Sequence, residues 1–263
     1  MQSRAVSFVA ATTLLALAGV ASADVTTING FRNNFRNFND YPTSTLVASS
    51  NYALGTVDIV ESNFGAGGPF ANRHRVFFSN DAGATNYSLS NQDYFDLSFD
   101  IRVKATDMQS VEGGFYSDTF IGGEPRFIVK ANDACFAFDS WLPFVWGGAY
   151  GNDVLAKLRM VYNPGSGSGG VQTTASTVQF WRDGVDLGTY NAGNFNVPDF
   201  VNGYADGSNF GFYAQFQPKT DGQGNALPTA AAEMHISNMT IVPAPGATAF
   251  LGLAGLAMTR RRR

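Results

Sequence analysis

FDLSFDIRVK, residues 95–104, alternates apolar and polar side chains without a break. Phe95, Leu97, Phe99, Ile101 and Val103 take one set of positions, and Asp96, Ser98, Asp100, Arg102 and Lys104 take the other. Successive side chains of a strand point to opposite faces, so a period of two predicts a strand with one face in a core and the other in water. The same alternation returns in NFGFYAQFQ, with Phe210, Phe212, Ala214 and Phe216 on one face and Gly211, Tyr213, Gln215 and Gln217 on the other. VLAKLRMVY groups Ala156, Leu158, Met160 and Tyr162 in the same way.

Further short strands are expected at 52–60, 73–79, 114–120, 126–130, 135–138, 178–182 and 234–241, where β-branched and aromatic residues sit between turn formers. Asp183-Gly184 lies between two such runs and predicts a tight hairpin whose two central residues have positive φ. No central segment keeps an apolar period of 3.6, so helices are not available to form crossovers. Antiparallel sheets must then pack on each other. The fold expected over residues 24–241 is an all-β antiparallel β-sandwich.

Composition agrees with that fold. The chain has 23 Phe to fill a core and 29 Gly for turns, and only 14% of its residues are charged, against about 25% in an average domain. The single cysteine, Cys135, permits no intrachain disulfide and reads as a small buried hydrophobe. His74 and His235 are the only histidines, and no motif joins them into a zinc site or a nucleophilic triad. Glycine loops such as GAGGP, residues 65–69, lack the lysine and strand-to-helix context of a phosphate cradle and read as turns.

Both ends of the chain carry the pattern of an address. Arg4 is followed by an apolar stretch over residues 5–20 and then by Ala21-Ser22-Ala23, small residues at the −3 and −1 positions of a secretory cleavage site. Residues 1–23 are read as a signal peptide, cut before Asp24. Residues 242–263 combine Val242-Pro243-Ala244-Pro245-Gly246, an apolar run over residues 247–258, and the cluster Arg260, Arg261, Arg262 and Arg263. The run has 12 residues. As a helix it spans roughly 18 Å, short of a hydrocarbon core of about 30 Å, while the arginines suit the cytoplasmic side. The segment is expected to stop in the membrane only transiently.

This order of proline motif, apolar segment and terminal arginines resembles the PEP-CTERM sorting signal of bacteria that make exosortase. Ala244 stands where that motif usually has Glu. The resemblance implies transient partners, exosortase and the secretion machinery, cleavage near the prolines, and a mature protein at the cell surface or in an exopolysaccharide matrix. Residues 155–242 also resemble the C-terminal half of concanavalin A-like and laminin-G-like jelly rolls. There the LRMVYN strand, the glycine and serine loop at 163–170, the VQFWRDGVDLG hairpin and the strands FGFYAQF and MHISNMTIV follow in that order.

Between the two addresses lie all 21 acidic residues and, once Arg4 and the four terminal arginines are set aside, 12 of the 17 basic ones, a net charge of −9. Such a balance excludes nucleic acid as a partner, since that binding rests on cations facing phosphates. Three groups of residues bear on chemistry. In GTVDIVES, Asp58 and Glu61 match two positions of the E-x-D-x-x-E strand of jelly-roll glucanases, but Thr56 replaces the nucleophile. A retaining pair also requires carboxyls about 5 Å apart. Trp141, Trp146 and Tyr150, in a stretch that reads as a loop or sheet rim, are sugar-stacking candidates if exposed and core residues otherwise. Asp221 and Asn225 in DGQGN offer oxygen ligands to Ca²⁺ or form an ordinary solvated turn. The expectation is an exported, non-catalytic surface or matrix protein that associates with polysaccharide. A jelly-roll glycoside hydrolase and a purely structural matrix component are the alternatives.

Overall fold

The computed structural model describes residues 25–89, 93–118, 125–131, 133–139, 142–164, 166–168, 171–174, 176–191, 204 and 207–242. The signal-peptide and sorting-signal readings, apart from Val242, fall outside these residues, as does Trp141. Of Trp146 and Tyr150 only the strand that carries them is described. Among the described residues no helix is long and apolar enough to cross a membrane.

After a 3-10 turn at Val25–Thr27, the chain runs through β1 (Gly30–Asn39), β2 (Thr45–Asn51), β3 (Thr56–Ser62), β4 (Asn72–Ser79), β5 (Ser88–Leu89), β6 (Phe95–Thr106), β7 (Met108–Asp118) and β8 (Arg126–Lys130). It continues with β9 (Asp133–Asp139), β10 (Leu142–Tyr150), β11 (Leu155–Asn163), β12 (Ser166–Ser168), β13 (Val171–Thr174), β14 (Thr177–Arg182), β15 (Val185–Asn191), β16 (Ser208–Pro218) and β17 (Ala231–Val242). One sheet has the order β1-β4-β16-β7-β8-β9-β10, with β5 beside β16. The other has the order β15-β14-β11-β6-β17-β3-β2. Every pairing is antiparallel, so the chain is the β-sandwich that the alternation predicts.

The core lies between the sheets. Phe95, Leu97, Phe99, Ile101 and Val103 of β6 are buried, as are Ala156, Leu158, Met160 and Tyr162 of β11 and Phe210, Phe212, Ala214 and Phe216 of β16. Aromatic rings join the layers: Phe95 stacks on Phe210 at 5.1 Å, and Phe99 meets Phe212 edge-on at 5.1 Å. Offset and edge contacts of this kind add to what burial alone contributes. Cys135 is buried among these apolar groups. The hairpin between β14 and β15 turns through Asp183 (φ 52°) and Gly184 (φ 81°), the two positive values expected.

The sequence reading and the structure differ in strand bounds, with β3 starting at Thr56 where a strand from residue 52 was expected and β7 at Met108 where one from residue 114 was, and in strands that the reading did not name. β1 and β2 were not expected, because their alternation is blurred by exposure; β2 is the outermost strand of its sheet. Of the two readings of the stretch holding Trp146 and Tyr150, loop or sheet rim, the structure has the rim: it is β10, the edge strand of the eight-stranded sheet. The glycine and serine loop at 163–170 contributes β12, which pairs with β13 in a small separate ribbon.

Candidate functional site

The outer face of β16 was expected to meet water. It is covered instead: Tyr213 is fully buried and Gln215 nearly so. Registers place side chains from four strands on this face. Arg75 of β4 lies opposite Tyr213, which lies opposite Gly114 of β7. In the next row Tyr116 of β7 lies between Gly211 of β16 and Arg126 of β8. In a third, Arg73 lies opposite Gln215, which lies opposite Glu112. The glycines have a steric reason: a Cβ on Gly211 would collide with the Val76 carbonyl oxygen, and one on Gly114 with that of Phe127. The two tyrosines therefore have glycines as cross-strand neighbours, and their rings stack with centroids 5.8 Å apart.

The rings are capped by cations. The Arg75 guanidinium lies 4.3 Å from the Tyr116 ring centroid, and that of Arg126 lies 4.4 Å from the Tyr213 centroid. The Tyr213 hydroxyl donates to Glu112 Oε1 (2.8 Å) and accepts from Arg126 (3.3 Å). Burial, with the Glu112 charge adding to it, pushes the Tyr213 hydroxyl well above its ordinary range, and Arg126 opposes this. The phenol is thus a proton donor at neutral pH. Arg73 donates to Gln215 Oε1 at 2.6 Å and leans on Phe38 and Phe70. In a protein whose central region carries a net −9, Arg73, Arg75, Arg126 and Lys130 against Glu112 and Asp118 make this face a local cationic site among the described residues.

A second polar cluster lies between the sheets. Glu61 is fully buried; its Oε1 is within 3.2 Å of Arg36 Nε, 2.6 Å of Ser44 Oγ and 2.9 Å of Asn72 Nδ2. Its Oε2 lies 3.0 Å from His74 Nε2. A bulge in β1 between Asn34 and Phe38, with Arg36 at φ 55°, brings the Arg36 backbone N–H to His74 Nδ1 at 3.3 Å. Nδ1 is therefore the acceptor and Nε2 carries the proton that bonds Glu61. Burial acts to raise the Glu61 pKa, and the bonds from His74, Ser44 and Asn72 outweigh it, leaving the carboxyl below its ordinary value.

These positions settle how the sequence candidates relate. β3 keeps one continuous register with both neighbours, so no bulge returns Glu61 to the face of Asp58. Glu61 points into the core network, while Asp58 accepts from His235 Nδ1 at 2.8 Å on the outer surface. The two carboxylates do not form a pair, and Thr56 stands at the half-exposed start of the strand. Asp221 accepts N–H bonds from Gln223 and Asn225 within its own turn. Val242 ends β17. Sequence reasoning missed Arg73, Arg75, Arg126 and Glu112. The signal available was the polar alternate set of β16, Gly-Tyr-Gln-Gln, which carries no charge and so suits a covered face.

No family model and no curated relative matches the sequence. Among solved structures, the alginate lyase AlgAT5 of polysaccharide lyase family 7 is similar over 82% of this chain and 94% of its own, with a TM-score of 0.53 and 12% identity. A variant of the family 7 alginate lyase A1-II′, in complex with a substrate (GGMG), is similar over 82% and 93%, with a TM-score of 0.52 and 11% identity. At these identities the likeness is one of fold: the chain is an all-β jelly-roll sandwich. The expectation of a non-catalytic protein is corrected on this finding: the two similar folds are those of alginate lyases.

Proposed function

We propose that the protein is a carbohydrate-active jelly-roll enzyme that cleaves a uronate-containing polysaccharide on the outer face of its eight-stranded sheet. The observation that carries this reading is the cationic row over a buried tyrosine pair in an otherwise acidic protein. The similar folds of two alginate lyases support it. Elimination beside a uronate carboxylate needs that carboxylate neutralised, a proton removed from the adjacent carbon, and a proton returned to the departing oxygen. Arg73, bonded to Gln215, and Arg75 supply the charge, since guanidinium matches carboxylate geometry. Glu112, the carboxylate of this row, takes the proton from the carbon, and Tyr213, held protonated and bonded to Glu112 and Arg126, gives its own to the departing oxygen. Arg75 and Arg126 exchange their ring contacts for substrate carboxylates on binding.

The test is release of unsaturated uronate, followed by its ultraviolet absorbance, from alginate, pectate and glucuronan. Turnover of at least one is expected, with Tyr213→Phe reducing it about 10²-fold or more and Arg75→Ala weakening substrate capture. No unsaturated product from any of the three, by a folded preparation, overturns the reading. The sequence of both ends supports action outside the cytoplasm, after removal of a signal peptide and processing by exosortase. Mass spectrometry of the mature protein, showing a C-terminus near residues 243–246, is the expected result; an intact arginine cluster in the surface fraction contradicts it.

A further inference from the structure

We infer that the outer face of the seven-stranded sheet carries a second saccharide site, centred on Trp181, that takes a neutral sugar. A shallow groove of about 360 Å³ crosses four strands there, lined by Ser98 and Asp100 of β6, Lys157 and Arg159 of β11, Trp181 of β14 and Asn238 of β17. The bulge in β17 between Ser237 and Thr240, with Asn238 at φ 51°, brings the Asn238 side chain to the groove, where it donates to Asp100 Oδ2 at 2.8 Å. Trp181 is only half-buried and lies opposite Arg159 in the register. Arg159 is fixed by a bidentate pair with Asp96 (2.8 and 2.6 Å), and its guanidinium lies 4.6 Å from the Trp181 ring centroid. The indole is thus held in place on an exposed sheet without being buried in a core.

The chemistry of the lining selects the ligand. Asp96 neutralises Arg159 from beside the groove and Asp100 lies opposite Lys157 in the register, so the groove with its immediate neighbours has no net charge, unlike the cationic face of the other sheet. The Lys157 ammonium has no ion-pair partner among the described residues, and its strand neighbour on β6 is Asp100. Adjacent carboxylate, amide and ammonium groups offer acceptors and donors to vicinal hydroxyls. An aromatic ring beside them offers an apolar plane to the C–H face of a pyranose. A polyanion gains nothing from a balanced site; a neutral hexose chain uses every group. This site is independent of the reading of the eight-stranded sheet.

Calorimetric titration of the purified protein with cellohexaose, laminarihexaose and mannohexaose, and with hexamannuronate as the charged probe, tests it. At least one neutral hexaose is expected to bind, and Trp181→Ala to weaken it about tenfold, with the unfolding midpoint unchanged. Lys157→Ala and Asn238→Ala provide the same test should Trp181→Ala fail to fold. Absence of binding by all three neutral hexaoses overturns the inference. So does neutral binding that survives all these substitutions, or a groove substitution that abolishes hexamannuronate binding instead. Loss of turnover on uronates, with the neutral binding intact, speaks only against the other face.

Discussion

Replacing Glu61 by Leu removes the acceptor at the centre of the inter-sheet network while keeping its volume nearly filled. The cost follows from what each donor can do afterwards. Ser44 retains the Tyr41 carbonyl at 2.7 Å, and Asn72 retains the same carbonyl at 3.1 Å, so neither is orphaned. Arg36 keeps the Ser44 carbonyl at 2.6 Å, and its side chain is 23% exposed, so part of its charge reaches water. His74 Nε2–H is left with nothing: the ring is fully buried and its other nitrogen is already engaged by Arg36. One orphaned buried donor costs about 1–3 kcal/mol, and a partly screened unpaired guanidinium adds to that. The total expected is about 3 kcal/mol, or a fall of about 6–12 °C in the unfolding midpoint for a domain of this size. Thermal and urea unfolding followed by circular dichroism would measure it. The double variant Glu61→Leu with His74→Leu should recover much of the loss, because exchanging both partners for apolar groups leaves no buried donor unmet. A loss below about 1 kcal/mol for the single variant, or a double variant less stable than the sum of the singles, would refute the assignment of the cluster as a coupled network.

Two further expectations concern pH and backbone packing. Because the folded Glu61 pKa is depressed below its ordinary value of 4.5, its contribution is fully present above about pH 4.5 and is lost as pH falls through the folded value. Urea midpoints should therefore decline on the acid side in the wild type, and less so in Glu61→Leu. Gly211→Ala should cost about 1–3 kcal/mol, since the new methyl meets the Val76 carbonyl and not a movable side chain; an unchanged urea midpoint would show that β4 and β16 can separate locally.

The alternation in residues 95–104 was enough to read the sandwich because its two faces meet different media, core and water, and hydrophobicity records that difference residue by residue. The candidate site was not legible by the same signal, because both faces of β16 are covered. A strand buried on one side by Phe210, Phe212 and Phe216 and on the other by Tyr213 and Gln215 under arginines has no water-facing set. Its polar residues then look like an ordinary exposed face. The arginines that complete the site come from β4 and β8; Arg73 is 142 residues from Gln215 and Arg126 is 87 from Tyr213, and only the order β4-β16-β7-β8 places them together. Glu61 shows the converse. In sequence it matched a catalytic pattern with Asp58, and a one-dimensional spacing of three left its face open. The uninterrupted pairing of β3 fixes that face as the interior, where a carboxylate bonded to His74, Ser44, Asn72 and Arg36 joins the two sheets. A charged residue in a strand therefore reports chemistry only once the register shows which medium it faces, and register is a property of the neighbouring strands.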